Sequence, residues 1–212
     1  MLDLERNKKE FEELLNSVDR NGIENLIIFL REQSDFYSAP ASARYHMNVK
    51  GGLCQHSLNV YHNLKKLNEI YGTNFDEESM IVAALLHDLA KIDYYEYYVQ
   101  NRKQYTPHGK QFDDNGKFNW IQVGAYRVKD STERNYVYSE HGVCSYLLAS
   151  KYIKLTEDEG VAIINHHMDL DKNGYIRTDI SEIYNRYPLA SLLHIADCMA
   201  TYLDENPYKV DE

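Results

Sequence analysis

Four stretches of this chain carry apolar residues at helical spacing, and each of the four stripes includes a residue type that binds metals. His56 shares a face with Val60, Asn63 and Leu67. His87 follows Met80, Ala83 and Ala84, His141 lines up with Cys144, Ser145 and Leu148, and Asp197 sits with Ala190, Leu193 and Ala200. A carboxylate on a core-facing stripe is expensive unless it is paired or holds a metal. Four helices pointing such residues inward predict a shared centre, as in the carboxylate–histidine sites of helix bundles. Asp88 beside His87 adds a second carboxylate. Neighbours on a helix diverge by about 100°, so both reach one centre only across the helix end. His166–His167 is another adjacent pair, with one member expected inward.

The remaining pattern is mostly helical. Asp3–Ser17 and Ile23–Glu32 carry apolar stripes, and Ser34–Gly52 reads as a loop with Pro40 and a Gly51–Gly52 pair. A third helix is predicted from Leu53 to Tyr71 with Gly72 as its stop. A fourth runs from the cap Asp76 through Lys91. Helix resumes near Ser139. Thr156 and Glu159 form a capping box opening the helix toward His166, and Pro188 opens a last helix ending near Asp204. Tyr94–Asp130 differs: Asp114–Asn115–Gly116 is a turn signal and Phe118–Val123 alternates like a strand, which predicts a small hairpin. The expected fold is all-α, a mainly helical bundle with a small β-hairpin insertion. It reads as one domain: N-terminal helices over 1–43, a core over 44–204, and the insertion over 94–130.

Composition narrows the function. With 212 residues, 43% hydrophobic and 26% charged, the chain is neither disordered nor collagen-like. A net charge of −10 disfavours long nucleic acids as partners. The longest apolar run, Met80–Leu86, is far short of a membrane span. The opening MLDLERNKKE has no apolar signal core, so a cytoplasmic location is expected. Cys54, Cys144 and Cys198 show no pairing pattern and are expected to be small core residues.

In order and spacing, these positions resemble the HD superfamily of metal-dependent phosphohydrolases. The matching segments are GGLCQHSLNV with His56, LLHDLAK with His87 and Asp88, SEHGVCSYLL with His141, NHHMD with His166, and LLHIADCMA with Asp197. SARYHMNVKGGLCQH is similar to the HD domain of bacterial 3′-to-5′ exoribonucleases, but the residues before position 44 are too few for the OB-fold those enzymes carry. NHHMDLDKNGYI partly resembles the HD-GYP phosphodiesterases. There Met168 replaces a glutamate, Ile176 replaces a proline, and Gly52 stands where three-metal members place a glutamate. Those departures argue against cyclic di-GMP and against a third metal.

The resemblance implies one or two divalent transition metal ions. Imidazole and carboxylate suit Fe, Mn, Co, Ni or Zn without choosing among them. One site is expected from His56, His87, Asp88 and Asp197, and a second from Asp88 as a bridge with His141 and His166. Asp88 and Lys91 are the expected catalytic residues, Lys91 neutralising charge on phosphoryl oxygens. The implied activity is hydrolysis of a phosphomonoester or phosphodiester of a nucleotide-like or short oligonucleotide substrate. A di-iron oxygenase or a non-catalytic nucleotide-sensing module with a structural metal would use the same ligands.

In the insertion Arg102, Lys103, Lys110, Lys117, Arg127, Lys129 and Arg134 outnumber Asp113, Asp114, Asp130 and Glu133. Aromatic faces with cations are a recipe for binding nucleotides. Arg102, Lys103 and Tyr105, with Arg44 and Lys50 before His56, are therefore expected to contact a small phosphorylated substrate. His46, His62, His108 and His194 are expected to be hydrogen-bonded core histidines rather than ligands. The oligomeric state is open.

Overall fold

In a computed structural model, residues 2–43, 46–136, 140–167 and 179–205 are described. Helix α4 (Glu77–Leu86) is its centre: every residue from Met80 to Leu86 is buried. A helix that is apolar all round requires neighbours on every side. These are α1 (Leu4–Asn16), α3 (Gly52–Tyr71), α5 (His141–Ser150) and α6 (Glu157–Ile164). The helix α8 (Pro188–Met199) packs across α3 and α6, with α7 (Ile180–Arg186) against it, while α2 (Ile23–Glu32) packs on α1. Phe11, Leu15, Leu26, Leu30, Phe36, Leu53, Leu64, Ile81 and Leu85 are fully buried in one continuous core.

Local chemistry places the helix ends. Asp76 accepts a hydrogen bond from the Ser79 amide at 2.7 Å, and Thr156 and Glu159 close the expected capping box. Gly72 takes the left-handed conformation, φ 60°, that ends α3 without a Cβ clash. Pro188 opens α8, which continues into a wider, π-helical turn over Ala200–Asp204. The fourth helix does not run to Lys91 as expected. It stops at Leu86, and after His87 and Asp88 a single 3-10 turn, Leu89–Lys91, follows. Asp88 has left helical geometry (φ −111°, ψ 19°). Arg44, Ser139 and the stretch 168–178 lie outside the described residues.

The insertion is larger than the expected hairpin. Strands β1 (Tyr95–Tyr105) and β3 (Gly116–Val128) pair antiparallel along their length, Tyr95 opposite Val128 and Tyr105 opposite Phe118. The short β2 (Gln111–Asp113) adds to the far edge of β3, with Asp114–Asn115 making the turn between them. The run YEYYVQNRKQY mixes polar and aromatic residues on both faces, which hid β1 from an apolar-periodicity reading. The stem is pinned at Asp93, whose carboxylate meets Lys129 and the Asn135 amide, and whose own amide bonds Asp35.

Arg20, between α1 and α2, forks onto Glu159 with two bonds of 2.6 Å. The Glu159 side chain is completely buried and also accepts from Ser79 and the Thr156 amide. Removing Arg20 strands that carboxylate. Arg20→Ala is expected to lower stability by about 3–5 kcal/mol, measured by urea unfolding. A loss under about 1 kcal/mol, the range of an exposed pair, would contradict this reading.

Candidate metal centre

His87 and His166 reach the centre in the same way. Each lies just beyond a helix C-terminus, α4 for His87 and α6 for His166. Helix ends leave carbonyls without intrahelical donors. His87 Nδ1–H donates to the Ala84 carbonyl at 2.8 Å, and His166 Nδ1–H to the Ile163 carbonyl at 2.7 Å. Both bonds span three residues, cap the helix, and leave Nε2 as a lone pair facing inward. His56, in the second turn of α3, donates Nδ1–H to Glu205, 3.1 Å from each carboxylate oxygen. A partner on one ring nitrogen that frees and orients the other is the usual support of a metal-ligating histidine.

The inward nitrogens converge on Asp88, which is 1% exposed. Its Oδ2 lies 3.5 Å from His56 Nε2 and 3.3 Å from His87 Nε2. Its Oδ1 lies 3.2 Å from His141 Nε2 and 3.7 Å from His166 Nε2. Asp197 Oδ1 is 3.2 Å from His56 Nε2. Despite this crowding, His87 Nε2 and Asp88 Oδ1 are buried with no hydrogen-bond partner. His141 Nε2 and His166 Nε2 face each other at 2.9 Å, an arrangement that repels unless a proton or cation sits between them. Orphaned buried polar atoms demand an explanation. A divalent transition metal fits both the donor types and the orphans. Among the described residues, the groups with mutually close donor atoms are His56–His87–Asp88, His87–His166–Asp197, Asp88–His141–His166–His167 and His46–His56–Glu205.

Charge follows the same logic. Burial would raise the Asp88 pKa, but Lys91, 2.6 Å from Oδ2, and the surrounding imidazoles hold it well below the usual carboxylate range. Burial likewise opposes ionisation of Asp197 and Glu205, and contacts with His56 reverse it, leaving both low. His56 shows the counterpart: burial disfavours its proton, yet Asp197 and Glu205 raise its pKa to about 10. Burial lowers His166 to about 4 and His167 to about 3, so both are neutral at pH 7.

The HD domain family matches residues 53–201, about two-thirds of the chain, a range that includes His56, His87, Asp88, His141, His166 and Asp197. The chain belongs to the HD domain family. Among characterised proteins, the dihydroneopterin 2′,3′-cyclic phosphate phosphodiesterase of Methanocaldococcus jannaschii is 39% identical over 57 residues, covering 25% of this chain and 23% of that one. The chain thus spans about a quarter of the length of that relative. No solved structure matches it.

The structure brings together His56, His87, Asp88, His141, His166 and Asp197, with Lys91 on Asp88. It does not bring the expected substrate contacts with them. Lys103 and Tyr105 both bond Asp113 out on the sheet. Arg102 lies seven strand residues beyond Tyr95, about 23 Å along the extended backbone. Lys50 is exposed beside Leu2, Leu4 and Val49. Arg44 is outside the described residues. His167 corrects the expectation that one member of its pair turns away: although 40% exposed, its Nδ1 is 3.6 Å from Asp197 Oδ2.

His46 is also corrected. It is not hydrogen-bonded core: both ring nitrogens are buried without a partner, and its ring lies 4.8 Å from that of His56. His62 bonds Glu10 at the surface and His108 is exposed, whereas His194 donates to the His166 carbonyl as expected. Glu205 was missed. Its signal was a spacing of eight from Asp197, two helical turns, just past the predicted helix end. Gly52 admits no side chain without rearrangement, since a Cβ would lie 2.2 Å from the Met47 carbonyl oxygen. Cys54 and Cys144 are buried and Cys198 is half-buried. Among the described residues no helix is long and apolar enough to cross a membrane.

The proton on His56 competes with any metal at Nε2. Because its pKa is raised, that proton is bound at pH 7 and metal affinity rises with pH across the neutral range. Titration of Mn(II), Co(II) or Zn(II) into metal-free protein is expected to release about one proton per chain, read from calorimetry in buffers of different ionisation enthalpy. A heat independent of buffer would contradict it.

Proposed function

We propose that this HD-domain chain is a metal-dependent phosphohydrolase acting on a phosphoester of a small, nucleotide-like substrate. The observation that carries the reading is the division of Asp88 between two pairs of histidines, one pair at each carboxylate oxygen. On this reading Asp88 would be shared between two metal positions, one that His56, His87 and Asp197 would hold and one that His141 and His166 would hold, with His167 near the second. A divalent metal in such a site polarises phosphoryl oxygens and acidifies water.

The chain's own residues supply the rest. Glu205, Ala84 and Ile163 hold three imidazoles in fixed tautomers, so no reorganisation is needed when substrate arrives. Lys91 neutralises Asp88 and lies one turn from the ligands, where its ammonium can take charge building on a phosphoryl oxygen. His46 presents two unpartnered nitrogens beside His56 and is suited to hydrogen-bond the substrate. The relative's name supports a cyclic phosphodiester over oxidation chemistry. Lys50, Lys103 and Tyr105, which the structure sets apart from the centre, are proposed as contacts only for a substrate long enough to reach them, and Arg102 and Arg44 carry no further role in this reading.

Asp88→Ala is expected to abolish metal-dependent hydrolysis of bis(p-nitrophenyl) phosphate and of nucleoside 2′,3′-cyclic phosphates. Lys91→Met should lower kcat by about 10²–10³-fold while metal per chain, read by elemental analysis, stays at the wild-type value. Hydrolysis that survives in metal-free protein or in Asp88→Ala would overturn the proposal, and dioxygen uptake by iron-loaded protein in place of hydrolysis would favour an oxygenase.

A further inference from the structure

Strand β1 is an edge. The sheet order is β1–β3–β2, so among the described residues one side of β1 has no strand beside it. The register with β3 fixes which backbone groups point outward. The Tyr94 carbonyl accepts from the Lys129 amide, and the Thr106 amide donates to the Lys117 carbonyl. Even-numbered residues therefore face β3, because hydrogen-bonded and non-hydrogen-bonded positions alternate along an antiparallel pair. The odd residues Tyr95, Tyr97, Val99, Asn101, Lys103 and Tyr105 turn their N–H and C=O groups outward. Among the described residues no backbone hydrogen bond reaches them. The strand is eleven residues long and contains no proline or glycine. Tyr97 is 62% and Val99 57% exposed on it. Natural sheets rarely leave so long an edge unprotected.

We infer that β1 is the contact surface for a second copy of this chain, pairing antiparallel with its counterpart about a two-fold axis at Val99. That register is self-complementary. Glu96 falls opposite Arg102 of the partner subunit, and the reverse, while Tyr95 falls opposite Lys103 of the partner subunit. Like charges never meet. Shifting the axis by one residue sets Glu96 opposite a glutamine and loses the ion pairs. Val99 sits on an outward position, so the five odd-numbered pairs exchange about ten backbone hydrogen bonds, and the two sheets join into one of six strands. A two-fold contact that uses the same patch on both chains closes on itself and does not polymerise.

Disulfide trapping tests the register directly. Positions 96 and 102 of opposite chains form a non-hydrogen-bonded pair, with Cα atoms about 4.5 Å apart, within the range a disulfide spans. Within one chain they are six strand residues, about 20 Å, apart. Mild oxidation of the Glu96→Cys/Arg102→Cys double variant should give a covalent dimer on a non-reducing gel, and neither single variant should. By sedimentation velocity the wild-type chain should be a dimer. Val99→Pro removes an N–H that the monomer does not use, and should weaken association by about tenfold or more with an unchanged helical circular dichroism spectrum. A monomeric wild type, a folded Val99→Pro variant that associates as tightly, or trapping equal in the single variants would each overturn the proposal. Should Val99→Pro alter the fold, the trapping result decides alone.

Discussion

A buried carboxylate with an ammonium and several imidazoles gathered around it organises this molecule. Asp88 is removed from water at the end of the most apolar helix of the chain. Left alone there it would be protonated or expelled. Lys91 and the imidazoles of His87, His141 and His166 keep it ionised, and they come from three separate segments of the chain. The bundle can thus be read outward from one atom pair: α4 carries Asp88 inward, α3 brings His56, α5 brings His141, and the end of α6 brings His166. The packing of α8 across α3 then delivers Asp197.

The termination of α4 is part of the same solution. A continuous helix through Lys91 would send His87 and Asp88 in diverging directions. Ending the helix at Leu86 lets the His87 ring fold back to cap Ala84 while Asp88 turns out of the helical path. The motif works because the helix breaks where it does. The same device at α6 and His166 indicates that freed helix-end carbonyls are the chain's means of setting histidine tautomers.

What the amino-acid sequence discloses follows the range of the interaction. The caps at Asp76 and Thr156, the stop at Gly72 and the inward stripes are set by neighbours within a turn or two, and they were legible. Four of the six residues that converge here, His56, His87, His141 and Asp197, were legible because a charged or imidazole side chain on an apolar stripe violates a local rule, and Asp88 and His166 were drawn in as members of adjacent pairs in a family pattern. Glu205 and His46 were not. Glu205 acquires its role from His56, 149 positions away, and His46 gains its place only when its loop folds over α3. The length of β1 was hidden for a related reason. Its stability comes from register with β3 and from rings such as Phe118, wedged between Tyr105 and Trp120, rather than from alternation within the strand.

The spread of the ligands along the chain has a bearing on biosynthesis. His56, His87 and Asp88 leave the ribosome early and together. Asp197 and Glu205 emerge more than a hundred residues later, and until then His56 has neither of the carboxylates that hold its ring. A growing chain can gather a few donors but cannot close the set, so any cation captured early is weakly held and exchangeable. The complete donor set is therefore open to a metal only once Asp197 and Glu205 have both emerged.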